Sequence, residues 1–100
     1  MKRYYVYLLV CADDSFYVGV TSDLEKRVLQ HIYGAFPSCY TFSRRPITLA
    51  WSQEFSVVFD ALRCEKQIKG WTRAKKDAMV RGDWNIVSEL SRRHPSTSSG

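Results

Sequence analysis

One hundred residues, 45% of them hydrophobic and 25% charged, suit a single domain with one modest core, because a chain of this size buries about 60 to 70% of its extended surface. The longest apolar stretch, residues 6–10, is far shorter than the roughly 18 residues of a membrane span, and Asp13 and Asp14 follow it too closely for a secretory leader. The net charge of +5 is concentrated in residues 63–81, where Arg63, Lys66, Lys69, Arg73, Lys75, Lys76 and Arg81 stand against Glu65 and Asp77; this points to a polyanion, nucleic acid first, or else to a solvated helix face.

Residues 3–10 read as a strand rich in tyrosine and aliphatics. The polar turn of residues 12–15 joins it to a second strand over residues 16–20, making a hairpin. Gly19 inside that second strand forfeits side-chain packing, so it marks a bulge or a close approach by another chain. Ser22 with Glu25 three residues on fits a capping box and Gly34 suits a helix end, so a helix is expected over residues 23–33. Residues 36–46 carry Pro37 and Pro46 around Tyr40, Thr41, Phe42, Arg44 and Arg45 without periodicity, and read as a loop.

Ile47, Leu49, Trp51 and Phe55 alternate with their neighbours as in a half-buried third strand. Ser56 and Gly70 bracket a helix over residues 57–69, and Thr72 and Gly82 bracket another that ends near Arg81. Asp83 opens a last short helix with Trp84, Val87 and Leu90 inward. Residues 94–100 are a Pro/Ser/Thr/Gly tail, expected to be disordered behind a domain over residues 1–93. The order ββαβαα describes a small α/β (α+β) domain, a three-stranded and mainly antiparallel sheet flanked by helices.

Cys11, Cys39 and Cys64 are odd in number and widely spaced, which supports neither a disulfide framework nor a zinc motif and suits a reducing cytoplasm.

Three polar features sit on apolar stripes. Glu65 falls inside the helical stripe of Val57, Val58, Ala61, Leu62, Cys64 and Ile68, where a carboxylate is costly unless paired, hydrogen-bonded or holding a metal; from this helix alone, an ion pair or a stripe-edge position reaching solvent is the simpler account. Arg27 and His31, four apart, flank Leu24, Val28 and Ile32 on one ridge. They could grip a phosphate and move a proton, or lie over the core and pack beneath it. Tyr5 and Tyr7 share one face of the first strand, with Tyr17 on the second; taken alone, they are ordinary strand tyrosines. Together these groups are a kit for phosphodiester hydrolysis: an ion on Glu65 to neutralise developing charge, Arg27 to steady the phosphate, and a phenol or imidazole for the proton.

The ordered set resembles a known family. VYLL at residues 6–9, YVG at residues 17–19, Arg27 ten residues after Tyr17, His31 four further on, Glu65 in a later helix, and the phrase ALRCEKQIKGWTRAKK at residues 61–76 are similar to the GIY-YIG nuclease superfamily, its small single-domain branch above all. The likeness covers residues 3–81. By that resemblance Tyr7 and Tyr17 are the motif tyrosines, Arg27 and His31 the helix pair, and Glu65 the ligand of a single magnesium or manganese ion. The ion and one tyrosine then assist a water to attack the phosphodiester. Three positions depart from the pattern. Tyr5 stands where the first motif has glycine, Val20 replaces a lysine found in some members, and the family's late asparagine has no secure match, since Asn85, the only asparagine, follows a helix break.

The expected activity is therefore a metal-dependent DNA endonuclease, without a membrane, acting on nicked, flapped or branched DNA by shape rather than sequence, or directed by a targeting protein. Gly19, Arg44, Arg45, Lys66, Lys69, Arg73, Lys75 and Lys76 are the expected nucleic-acid contacts. The alternative is a non-catalytic nucleic-acid-binding module, its basic segment on phosphates and its exposed tyrosines stacked on bases. A third reading, an interaction domain without nucleic acid, requires Arg27, His31 and Glu65 to be scattered in space.

Overall fold

The run YYVYLLV becomes the middle of a sheet. In the computed structural model, which describes residues 2–85, the strands β1 (Tyr4–Val10), β2 (Phe16–Thr21) and β3 (Thr48–Phe55) lie in the order β2-β1-β3, antiparallel throughout. A central strand has both edges paired and both faces available for burial, and Val6, Tyr7, Leu8 and Leu9 are all at most 1% exposed. Burying each of these side chains stabilises the fold by about 1.5 to 3 kcal/mol before chain entropy is counted.

The β1–β2 turn is held locally. Asp13 Oδ1 accepts from the Ser15 N–H at 3.1 Å and from its hydroxyl, an Asx-type turn. Asp14 sits at φ 65°, a conformation that aspartate tolerates better than most residues.

Helix α1 (Leu24–Ile32) begins at Asp23, whose side chain accepts from the Lys26 N–H. The expected cap, Ser22, is one residue too early; Asp23 competes for the same orphan amide and its carboxylate also favours the positive end of the helix dipole. The helix ends in a Schellman motif: Gly34 at φ 68° donates its N–H to the His31 carbonyl, and Ala35 donates to that of Gln30. A Cβ on Gly34 would also fall 2.6 Å from Arg45 Nη1. The buried residues of α1 are Val28 and His31, with Leu24 packed against the same cluster, whereas Ile32 is exposed. The inward ridge is thus Leu24, Val28 and His31, and the histidine is in the core rather than beside it.

In β3 the expected alternation breaks. A register shift falls between Leu8, opposite Trp51, and Leu9, opposite Leu49, so Ala50 is an extra residue and Leu49 and Trp51 point to opposite faces. Ile47 is buried, but Leu49 is exposed. The loop between α1 and β3 carries one 3-10 turn, Phe42–Arg44.

The chain divides into two compact units, Met1–Glu65 and Lys66–Gly100. The first holds the sheet, α1 and the start of α2 (Val58–Lys69). On α2 the wide apolar stripe expected from the sequence is narrower in fact, with Ala61 buried, Cys64 and Glu65 half-buried, and Val57, Val58 and Leu62 exposed. The second unit holds α3 (Arg73–Val80), capped by the Thr72 hydroxyl on the Lys75 N–H as expected, with Ile68, Ala78 and Met79 buried. Gly82 at φ 75° closes α3 in a second Schellman motif, its N–H on Met79 and that of Asp83 on Ala78. Trp84 and Asn85 are helical; Val87, Leu90 and the expected tail lie outside the described residues. Among those described, no helix is long and apolar enough to cross a membrane.

Candidate active site

Hairpin register decides which side chains meet. Tyr7 opposes Gly19 and Tyr17 opposes Leu9, so Tyr7, Leu9, Tyr17 and Gly19 share the sheet face that packs on Val28 and Leu24 of α1. A Cβ on Gly19 would lie 2.5 Å from Tyr7 Cζ and 3.0 Å from its Cε1. The room that Gly19 leaves is therefore taken by the Tyr7 ring, which lies across the neighbouring strand.

That ring reaches α1. Tyr7 Oη is 3.1 Å from His31 Nε2, and the Tyr17 ring packs at 5.0 Å, tilted 54°, on the same imidazole. On the far side of the imidazole, Nδ1 is 2.7 Å from Thr41 Oγ1, and Thr41 Oγ1 donates to Cys39 Sγ at 3.5 Å. Tyr40 stacks on Tyr17 with 6.3 Å between centroids. Tyr7, His31 and Thr41 are buried, while Tyr17, Arg27, Cys39 and Glu65 are half-buried.

The electrostatics follow from this burial. Desolvation pushes the Tyr7 phenol up to about 12, assisted by Tyr17 and opposed by hydrogen bonding and charge from Arg27. Tyr17 is raised by burial first, then by Cys39 and by the Glu65 carboxylate, against Arg27. His31 is lowered by burial and by the Arg27 charge, so its imidazole is neutral near pH 7. Burial would raise the Cys39 thiol, but hydrogen bonds from Thr41, Tyr17 and Tyr40 outweigh it and lower the value. Arg27 itself is steered by Gln30, whose Oε1 accepts from Nε at 3.2 Å.

Tyr7, Tyr17, Arg27 and His31 thus come together, and Glu65 is near enough for its charge to act on Tyr17. The scattering that the interaction-domain reading requires is not observed. Asn85 is exposed in the second unit.

The expected nucleic-acid contacts divide. Arg44 is a strut of the loop: Nε bonds Asp13 Oδ2 at 3.2 Å, Nη1 bonds the Tyr40 carbonyl at 2.9 Å, and the guanidinium lies 3.8 Å from the Tyr40 ring centre. Arg45 bonds the Phe42 carbonyl and covers its ring. In the second unit Lys75 is buried, with Nζ 4.3 Å from the Trp71 ring centre, and Lys76 is half-buried. Lys66, Lys69 and Arg73 are exposed.

Thr41, Cys39 and Tyr40 escaped the sequence reading. They lie in an aperiodic loop, and a threonine beside a cysteine carries no spacing signal; only the return of the chain over α1 brings them to His31.

The sequence model of the GIY-YIG catalytic domain matches residues 3–78. The chain belongs to the GIY-YIG family. A UPF0213 protein of Bacillus pumilus is 38% identical over 92 residues, 92% of each chain. One of Lacticaseibacillus paracasei is 42% identical over 79 residues, 79% of this chain and 88% of the relative. Two solution NMR structures share the fold. A UPF0213 protein from Bacillus halodurans has 35% identity and a TM-score of 0.53, covering 79% of this chain and 83% of the other. A protein from E. faecalis has 32% identity and a TM-score of 0.57, covering 82% and 86%. A GIY-YIG domain implies nuclease function and a DNA substrate, and nucleases of the family generally use divalent metals. The donor set here suits such an ion. Among the described residues no three His, Cys, Asp or Glu side chains gather, so the half-buried Glu65 brings one hard carboxylate and no cage. A divalent ion held in this way keeps places for water and phosphate oxygens.

Proposed function

We propose that the protein is a metal-dependent DNA endonuclease in which Tyr7, Tyr17, Arg27, His31 and Glu65 form the catalytic set. The observation that carries this reading is the buried Tyr7 Oη to His31 Nε2 contact of 3.1 Å, with the Tyr17 ring packed on both partners and the Arg27 charge acting on both. Tyr7 stays protonated at working pH because burial raises it to about 12, while a neutral imidazole can receive its hydrogen. As the attacking water gives a proton to the phenol oxygen, the phenol's own proton passes to Nε2, and the phenol never carries a full negative charge. The new P–O bond forms as the bond to the leaving oxygen breaks, and the imidazolium can return its proton to the product side. Arg27 holds the phosphate and opposes negative charge near both phenols. Glu65 would hold a magnesium or manganese ion, whose charge would offset that developing on the phosphate.

The strands and α1 of the first unit are taken up in building the site, so we assign substrate choice to DNA shape, with nicks, flaps and branches preferred, or to a targeting protein. Lys66, Lys69 and Arg73 add phosphate contacts. The free thiols of Cys11, Cys39 and Cys64 suit the reducing cytoplasm.

The test incubates nicked, flapped and branched DNA with magnesium or manganese and compares wild type with Glu65→Ala and His31→Ala. Wild type should cleave, and each variant should lose about 100-fold or more. Equal cleavage by all three would identify a contaminant. Salt-sensitive binding without product under either metal would instead favour a binding module.

A further inference from the structure

We propose that Thr41 is a positioning residue for this site: by accepting the Nδ1 hydrogen of His31 it fixes the imidazole tautomer that leaves Nε2 bare and aimed at the Tyr7 phenol. The proposal rests on the reading of Tyr7 and His31 as the proton-accepting pair. It starts from a count of hydrogens. A threonine hydroxyl has one to give, and Thr41 gives it to Cys39 Sγ. With its hydrogen so placed, Thr41 Oγ1 can only accept at its 2.7 Å contact with His31 Nδ1, and the ring hydrogen must therefore sit on Nδ1.

A neutral imidazole carries one N–H and one lone pair, so Nε2 presents its lone pair to Tyr7 Oη. The groups that act on the ring are Tyr7 from β1, Tyr17 from β2, Arg27 from α1, and Cys39 and Thr41 from the loop. Arg27 is the full cation among them, and it disfavours a second ring proton. Thr41 is itself only 1% exposed. Removing its oxygen would leave the buried Nδ1–H only the 3.9 Å approach to Cys39 Sγ, a weak acceptor, and the ring relieves that state by moving its hydrogen to Nε2. The lone pair that receives the Tyr7 proton would then be gone.

His31 and His94 are the only histidines, so imidazole-nitrogen NMR on the full chain in mildly alkaline buffer reads the tautomer without substrate. Wild type and Thr41→Ser should carry the His31 hydrogen on Nδ1. Thr41→Val, of the same shape but without the acceptor, should shift it toward Nε2. In the cleavage assay Thr41→Val should lower kcat about 10- to 100-fold, as loss of an orienting partner does, with KM unchanged and Thr41→Ser near wild type. A wild-type ring protonated on Nε2 overturns the proposal, and so does a folded Thr41→Val whose ring stays protonated on Nδ1. Should Thr41→Val fail to fold, the wild-type and Thr41→Ser tautomers still decide. A wild type that cuts no DNA, yet holds an Nδ1–H ring released by Thr41→Val, would refute the nuclease reading and leave the role of Thr41 standing.

Discussion

Gly19 and Tyr7 act as one feature, since the missing side chain of one is the space occupied by the ring of the other. Gly19→Ala should therefore destabilise by about 1 to 3 kcal/mol through overpacking and disturb cleavage by moving Oη from His31. In a Tyr7→Ala background the ring is absent, and the cost of the same change should fall by about 0.5 kcal/mol or more. Urea midpoints of the four proteins measure this, and equal costs in both backgrounds would contradict the packing account. His31 sets a pH dependence of stability. Its value is depressed below 6.5 by burial and by Arg27, so the folded state favours the neutral ring; the stability this brings is complete above the unfolded value and is lost as pH falls through the folded one. The wild-type urea midpoint should be level near pH 8 and decline below about 6.5, with a shallower decline in His31→Gln over the same window. Asp13, lowered from 3.8, acts only in more acid solution. The types of Tyr17, Arg27, His31 and Glu65, at their spacings, were legible in the sequence because each disturbs an apolar stripe or matches a motif. The work of Gly19 was not, because a strand glycine says only that something comes near.

At the scale of elements, the start of α1 separates two neighbouring candidates. Asp23 supplies the cap, so Asp23→Ala should cost about 1 kcal/mol by chemical denaturation, while Ser22→Ala should change little. The reverse order would restore the capping box read from the sequence. Helix ends were otherwise easy to read, because Gly34, Thr72 and Gly82 act through local backbone geometry that a few residues determine. The β3 alternation was not: Ala50 is squeezed out by pairing with β1, and a bulge is a property of two strands. The α2 stripe was overdrawn for a similar reason. Periodicity names the apolar residues of a helix, but how many of them are covered depends on what surrounds it.

For the molecule as a whole, the concentrated positive charge should appear as salt dependence. Binding to a flapped DNA in the absence of metal should weaken linearly on a log–log plot, and Lys66→Gln or Lys69→Gln should each reduce the slope by about 1 if it meets a phosphate. Lys75→Gln should leave the slope unchanged, because Lys75 is buried against Trp71; titrations across a salt series distinguish these. A net charge shows that a polyanion is attracted, but only burial shows which bases are available to it. The sequence alone determined the element order ββαβαα and the helix stops, and it put forward five candidate site residues, because periodicity, capping and motif spacing are written in near neighbours. Tertiary structure decided the strand order, the ring of Tyr7 over Gly19, and the line of hydrogen bonds from Tyr7 through His31 and Thr41 to Cys39. Those contacts join residues that lie far apart along the chain, and their partners are chosen by register and by the path of a loop, neither of which has a local signature.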